Sequence, residues 1–278
     1  MLVNSKELFK VAQANNFAIP SANVLDMESI KNHVGVAEEL GLPLIIGVAE
    51  AHLGPNMTLE DVALVGKKYA SEASVPVVLH LDHGMNIETC KKAIDLGFTS
   101  VMIDASMKSF DENVATTKVV VEYAKAKDVS VEAEIGHVAS NFDTSDTEAL
   151  YTQPEEAAKF VELSGCDSLA ISIGTAHGVY KAKAIPEISF DSLHAIHAAT
   201  DCPLVLHGGS GSGDDNLNRC EKECISKFNI YTDLYLAAMD SVAKADAKDY
   251  LTLLAAVKEG MQSCLKHYYG VFNTQPVK

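Results

Sequence analysis

The sequence lacks several features that would place it quickly in a functional class. The 278-residue chain has no Cys-x-x-Cys pair, no basic run and no apolar stretch of the roughly 20 residues that a membrane-spanning helix needs. The formal net charge of −16 disfavours nucleic acid as a partner. The N-terminal stretch also lacks the uninterrupted apolar segment of a signal peptide. We therefore expect a soluble, cytoplasmic protein with no nucleic-acid or membrane partner.

A regular alternation of strand and helix patterns runs along the chain. Short apolar runs alternate with longer segments of helical period, and no low-complexity linker separates them. The predicted strands cover residues 17–24, 43–49, 76–83, 100–106, 129–136, 168–174, 203–208 and 226–232. This pattern predicts an α/β fold, a (β/α)₈ TIM barrel formed as a single domain over 1–278, with extra C-terminal helices after residue 233.

A doubly wound open sheet is the structural alternative to the barrel. The number of predicted strands and the lack of a Gly-x-Gly-x-x-Gly motif after the first strand favour the barrel. In a barrel, functional side chains lie at the C-terminal ends of the strands. Polar residues gather at those predicted ends: Asp82, His83, Asp104, Glu132, Glu134, His177, His207, Asn229, Thr232 and Asp233.

Three histidines, His83, His177 and His207, follow three different strands. Three imidazoles at one mouth are typical of a Zn²⁺ site that leaves a fourth position open for water or substrate. His80 and His83 fall on opposite faces of a regular strand, so both could be ligands only if the strand were bulged. His83 lies nearer the open end and is the predicted ligand, and His80 is predicted to be a supporting residue.

A glycine-rich turn follows the seventh strand. The run HGGSGSGDDN (207–216) connects that strand to a helix. Glycines let backbone N–H groups approach an anion, and a helix N-terminus adds a favourable dipole. The turn therefore predicts a phosphate site, although a plain tight connection would look similar.

Together these segments resemble the class II, zinc-dependent ketose-bisphosphate aldolases, which include fructose- and tagatose-bisphosphate aldolases. The resemblance extends over almost the whole chain, and its segments occur in the family's order. The most specific of them are HLDHG, MIDAS, VEAEIG, YTQPEEA, GTAHGVYK, PLVLHGGSG and FNIYTD. The resemblance implies a TIM barrel, a phosphorylated sugar as substrate, and a homodimer or homotetramer.

The resemblance also implies roles for individual residues. Asp82 would move the proton of the C4 hydroxyl, and His83, His177 and His207 would hold Zn²⁺. Asp104 and Glu134 would match carboxylates that hold a second metal or support a ligand, and Lys181 would lie near the phosphate. The residues implied for the dihydroxyacetone phosphate site are Gly178, Gly208, Gly209, Ser210, Asn229 and Thr232. A monovalent cation, Na⁺ or K⁺, often assists the family.

The chain departs from the family pattern at three places. Ala49 stands where a serine usually contacts the substrate. The loop after the fifth strand carries His137, Asp143 and Asp146 in place of the usual adjacent acids, and GGSGSGDDN replaces a turn that usually contains proline. The resemblance implies cleavage of a ketose 1,6-bisphosphate to dihydroxyacetone phosphate and an aldehyde. The departures indicate either drift within such an aldolase or an altered substrate, which would be a related ketose 1-phosphate or a sugar with a different distal group.

Other functional hypotheses stay open at this point. A barrel that binds sugar phosphates without cleaving them would explain the altered loop, and a metal-dependent hydrolase could use the same scaffold. A Schiff-base aldolase is disfavoured because the predicted sixth strand, SLAISIG, contains no lysine. The stereochemistry at C4, which separates fructose from tagatose substrates, is not encoded in any of these motifs.

Overall fold

The fold is a closed barrel of parallel strands. The structure, a computed structural model, describes residues 1–55, 57–136, 138, 151–178 and 185–277. The strands within these ranges are β1 (Ile19–Asn23), β2 (Leu44–Ala49), β3 (Val77–Gly84), β4 (Ser100–Ile103), β5 (Ser130–Ile135), β6 (Ser168–Ile171), β7 (Leu204–Leu206) and β8 (Ile225–Ile230). Each strand pairs with the next in parallel, and β8 pairs with β1. The predicted TIM barrel is therefore confirmed.

Helices connect the strands and extend beyond the last one. They are α1 (Ser5–Asn15), α2 (Met27–Leu40), α3 (Leu59–Glu72), α4 (Ile87–Leu96), α5 (Phe110–Lys125), α6 (Pro154–Ser164), α7 (Phe190–Ala199), α8 (Asp214–Lys222), α9 (Thr232–Ala245) and α10 (Tyr250–Val271). A short 3₁₀ helix covers Glu50–His52. None of the described helices is long and apolar enough to cross a bilayer.

Local sequence signals set several of these helix ends. The Asp26 carboxylate accepts the backbone N–H of Ser29 at 2.7 Å and caps α2. Asn86 caps α4 in the same way by accepting the N–H of Thr89 at 2.9 Å. Gly97 ends α4 with a φ of 95°, a left-handed conformation that favours glycine. Asp26 and Asn86 therefore fix where a helix begins after a strand, and Gly97 ends α4 shortly before β4 begins.

The N-terminal end of the barrel is closed by α1. Leu8 and Phe9 of this helix are buried in a cluster with Ile19, Ile45 and Val78, which come from the first three strands. This closure is favourable because each Å² of apolar surface removed from water stabilises the fold by about 25 cal/mol. The strand ends at the opposite, C-terminal end therefore form the mouth at which a site can open.

Strand β3 is irregular near its C-terminal end. Its pairing register with β4 shifts between Leu81 and Gly84, and His83 has a φ of 45°, which is uncommon for a residue other than glycine. His80 lies deeper in the barrel, where its Nδ1 is 2.8 Å from the Ser100 hydroxyl. The shift places His83 at the mouth and leaves His80 below it.

Candidate active site

A cavity of about 480 Å³ opens at the C-terminal mouth. This size is in the range of small-molecule sites, which usually measure about 300–1,000 Å³. Most of the predicted site residues line it: Asp82, His83, Asp104, Glu134, His177, Gly178, Gly208, Ser210, Asn229 and Thr232. The barrel therefore brings together side chains that are up to 150 positions apart in the chain, counting from Asp82 to Thr232.

The three predicted metal ligands lie close together: His83 and His177 line this cavity, and His207 is buried beside them. The ring centroids of His83 and His207 are 4.5 Å apart, those of His83 and His177 are 5.0 Å apart, and the rings are nearly perpendicular. One ring nitrogen from each histidine lies within 4.8 Å of the others. Such converging nitrogen atoms are the ligand set that Zn²⁺ prefers in catalytic sites.

Two carboxylates, one half-buried and one buried, select which nitrogen each of two histidine rings presents. Asp104 Oδ2 lies 2.8 Å from His83 Nδ1, so Nε2 of that ring faces the centre. Glu132 Oε1 lies 2.9 Å from His207 Nε2, so Nδ1 of that ring faces the centre, 2.8 Å from His83 Nε2. Metal-binding histidines usually have their second nitrogen held in this way.

The electrostatics of the cluster favour a positive charge at its centre. Burial lowers the pKa of His83, but the neighbouring carboxylates, chiefly that of Asp82, outweigh burial and raise the pKa to about 9. Burial and the two neighbouring imidazoles lower the pKa of His177 to about 3, so this ring is neutral at pH 7. The buried Nε2 of His177 has no hydrogen-bond partner among the described residues. A bound cation would satisfy both the carboxylates and this nitrogen.

Asp82 is held in place by two amides. Its Oδ2 accepts a hydrogen bond from Asn23 at 2.9 Å, and its Oδ1 accepts one from Asn229, also at 2.9 Å. Burial raises the pKa of Asp82, but the charges of His83 and His207 outweigh burial and lower it below the ordinary range. Asp82 is therefore an ionised carboxylate with a defined orientation beside the histidine cluster.

Asp104 and Glu134 form a second group of possible ligands with His83. One atom from each of these residues lies within 4.8 Å of the other two. Burial and the charge of Asp104 raise the pKa of Glu134 to about 8, and its Oε1 accepts the backbone N–H of Val138 at 3.2 Å. Because both groups share His83, the geometry is compatible with either a second metal or support of a single one.

The glycine-rich turn lies beside the start of α9. Gly208 has a φ of 67°, and a Cβ there would approach the carbonyl oxygen of Ala176 to 2.5 Å, so the close approach requires glycine. The Ser210 hydroxyl accepts two backbone N–H groups at 3.2 Å, and a hydroxyl that accepts two hydrogen bonds can also donate one. Gly209 does not line the cavity, and its N–H donates to the carbonyl of Asn229 at 3.2 Å.

A buried ion pair lies directly below the histidines. Lys227 Nζ contacts both oxygens of Glu132, at 2.7 and 2.8 Å, and lies 3.4 Å from His80 Nε2. Lys227 is 1% exposed and Glu132 2% exposed. Burial raises the pKa of Glu132, but Lys227 and His207 outweigh it and lower the pKa, so the carboxylate that orients His207 is ionised.

We expect Lys227→Met to destabilise the fold by about 3–5 kcal/mol, because it leaves the Glu132 carboxylate buried without its counter-charge. Urea unfolding monitored by circular dichroism measures this change. Lys10→Met is the matched control, since Lys10 pairs with Glu7 on the surface, and it should change the free energy of unfolding by less than about 1 kcal/mol. Equal effects of the two substitutions would contradict a structural role for the buried pair.

Several residues of the site were not among the residues that the sequence predicted. Asn23, His52, Met85 and Tyr231 line the cavity, and Lys227 supports it from below. Asn23 and Lys227 could have been predicted as site residues, because each is a polar residue inside a predicted buried strand. His52 and Met85 follow strand ends without a recognisable motif, and Tyr231 lies in the motif FNIYTD, which does not show that its ring lines the cavity.

Two of the predicted functional segments lie outside the described residues. They contain Lys181, predicted near the phosphate, and His137, Asp143 and Asp146 of the loop after the fifth strand. The predicted roles of these residues stay predictions.

Comparisons with known proteins identify the family. Residues 3–276 match the model of the family described as fructose-bisphosphate aldolase class-II. A fructose-bisphosphate aldolase of Staphylococcus aureus is 36% identical over 280 residues, covering 96% of this chain and 97% of that protein. One from Geobacillus stearothermophilus is 39% identical over 252 residues, covering 89% and 87%. The crystal structure of the YdjI aldolase from Escherichia coli K12 superposes with a TM-score of 0.89 at 33% identity, covering 99% of this chain and 98% of that one. The chain therefore belongs to the class II fructose-bisphosphate aldolase family and is a carbon–carbon lyase with a TIM-barrel fold.

Proposed function

We propose that this chain is a zinc-dependent aldolase that cleaves a ketose 1-phosphate, or a ketose 1,6-bisphosphate of the fructose or tagatose type, to dihydroxyacetone phosphate and an aldehyde. The observation that carries the proposal is the convergence of His83, His177 and His207 beside the ionised Asp82 at the open mouth of the barrel. An aldol cleavage needs an electrophilic centre and a proton acceptor side by side.

The residues present fit a zinc ion. The ligand atoms are nitrogens, Asp104 and Glu132 set the orientation of two rings, and His177 Nε2 is buried without a described partner. Zinc bound by the three histidines would polarise the substrate carbonyl and stabilise the negative charge that develops during cleavage. Asp104 and Glu134 would either support this ion or hold a second one.

Asp82 would act as the general base and acid. Its two oxygens are each held by one amide, from Asn23 and Asn229, so the carboxylate faces the mouth in one orientation. In cleavage it would accept the proton of the C4 hydroxyl, and in condensation it would return that proton. Its lowered pKa ensures that it is ionised and ready to accept the proton at neutral pH.

The phosphate of the dihydroxyacetone half would bind at the glycine-rich turn. Gly178, Gly208, Ser210 and Thr232 line this side of the cavity, and Thr232 is the first residue of α9. The N-terminus of this 14-residue helix directs the positive end of its dipole toward the turn, which favours an anion there. Such a site can bind phosphate with few basic side chains, which is consistent with the net charge of −16.

A substrate panel tests the proposed function. The zinc-loaded protein is incubated with the 1-phosphates and 1,6-bisphosphates of D-fructose and D-tagatose, and dihydroxyacetone phosphate is measured by its NADH-dependent reduction. We expect its release from at least one substrate of the panel. Binding of these compounds without cleavage would favour a silent sugar-phosphate barrel, and release of inorganic phosphate would favour a hydrolase.

A further inference from the structure

The two ends of the active-site cavity differ in chemistry. At one end, β6, β7 and β8 present the glycine-rich turn and the start of α9. In a closed ring of eight strands, β2 and β3 lie opposite β6 and β7. The side chains at this opposite end are Ala49, Ala51, His52 and Met85, and the ring of Tyr231, which follows β8, stacks on His52 and completes what we call the distal wall. A substrate whose phosphate lies at the turn and whose centre lies at the histidines would place its aldehyde half against this wall.

The distal wall is apolar and aromatic. His52 stacks on Tyr231 with ring centroids 4.4 Å apart and an interplanar angle of 26°, and Tyr231 packs against Tyr235 at 5.0 Å. Ala49 and Ala51 add only methyl groups, and Met85 adds a thioether. Burial lowers the pKa of His52, which disfavours a positive charge on its imidazole at the wall.

The described part of the cavity offers no lysine or arginine to a second phosphate. Of the described residues that line it, Asp82, Asp104 and Glu134 are acidic, and the charge of His83 is already matched by Asp82 and Asp104. The carboxylate of Glu50 lies directly behind the wall and accepts the N–H of Met85 at 2.6 Å. A phosphate monoester carries a charge of about −1.5 to −2 at pH 7, and burying it without a cation or a set of N–H donors is costly.

We infer that the aldehyde half of the substrate is unphosphorylated, and that His52, Met85 and Tyr231 determine this specificity. The inference rests on the proposed function, in which the dihydroxyacetone phosphate half of the substrate binds at the glycine-rich turn. It adds the chemical nature of the other half. The substrate class is then a ketose 1-phosphate with an uncharged distal end, and the second product is an uncharged hydroxyaldehyde. The alanine at position 49, where the family usually has serine, belongs to this wall.

A matched pair of substrates tests the inference. D-fructose 1-phosphate and D-fructose 1,6-bisphosphate differ only in the distal phosphate, and the corresponding D-tagatose pair covers the other C4 configuration. We expect kcat/KM for the monophosphate to exceed that for the bisphosphate by at least tenfold in the pair that is cleaved. An equal or higher value for the bisphosphate would overturn the inference and leave the proposed function intact. No release of dihydroxyacetone phosphate from any of the four would overturn both.

A positive charge added to the distal wall tests whether the aldehyde half of the substrate lies against it. The side chain of Met85 is 68% exposed, so Met85→Lys should not disturb folding and would put an ammonium group at the wall. We expect it to shift the ratio of the two kcat/KM values at least tenfold toward the bisphosphate. Met107→Lys is the control, because Met107 is 77% exposed, follows β4 and does not line the cavity, and the ratio should not change. An unchanged ratio in Met85→Lys, or an equal shift in both variants, would overturn the assignment.

Discussion

Removal of bound metal with a chelator is expected to abolish the release of dihydroxyacetone phosphate, and Zn²⁺ or Co²⁺ is expected to restore it. The reason lies in the mouth of the barrel, where three imidazoles converge and where the other described charged groups of the cavity are carboxylates. Without a divalent cation, the negative charge that develops on the substrate during cleavage loses its Lewis acid, and the charge of His83 is already balanced by Asp82 and Asp104. The measurement is the rate of cleavage by the protein before chelation, after chelation and after addition of each metal.

Metal binding can be followed independently of activity. His177→Ala should lower the affinity for Zn²⁺ by at least about 100-fold, since even the loss of a supporting residue costs 10–100-fold. His197→Ala is the control, because His197 is an exposed residue of α7 that does not line the cavity. Chelation should leave the circular dichroism spectrum nearly unchanged, since the strands and helices bury their own apolar core. Full activity of the metal-free protein would contradict the proposed mechanism.

Replacement of Asp82 by alanine is expected to lower kcat by about 10²–10⁴-fold, the usual contribution of a positioned general acid or base. The cause is the loss of the carboxylate that would take up the C4 hydroxyl proton. The measurement is steady-state cleavage of the substrate that the panel identifies. Zinc binding should be retained, because His83, His177 and His207 are all still present.

Asp82→Asn separates the chemical role of Asp82 from its structural one. The amide preserves the shape of the side chain and can still accept one of the two hydrogen bonds from Asn23 and Asn229, but it cannot take up a proton at neutral pH. Both variants should therefore lose turnover to a similar extent, while Asp82→Ala should be the less stable because it leaves two buried amides without their acceptor. A near-normal kcat in either variant would remove Asp82 from the catalytic role.

The fold was largely predictable because its signals are local. An apolar run headed by proline, a helical period and a capping residue each depend on a few neighbouring positions, as at Pro76 before β3 and at Asn86 before α4. Repetition of this unit eight times implied closure into a barrel, which the pairing of β8 with β1 shows. The filling of the N-terminal end by α1 was not predicted, because an amphipathic pattern does not specify the surface that it covers.

The candidate site was predictable in part, because some of its residues directly follow predicted strands. His83, His177 and His207 follow strand ends, and the barrel rule places all strand ends at one mouth. Asn23, which orients Asp82, could have been found as a buried polar residue in a strand, but its partner could not. That partner depends on which side chains of β1, β3 and β8 meet across the barrel interior.

The sequence by itself determined the order of strands and helices, the residues at the strand ends and the resemblance that points to an aldolase. Only the tertiary structure decided which nitrogen of His83 and His207 faces the centre, and that Lys227 balances the charge of Glu132 below them. It also decided that the distal wall is built from His52, Met85 and Tyr231. The physical reason is that these contacts join residues far apart in the chain, and their distances are set by closure of the barrel and not by any local pattern.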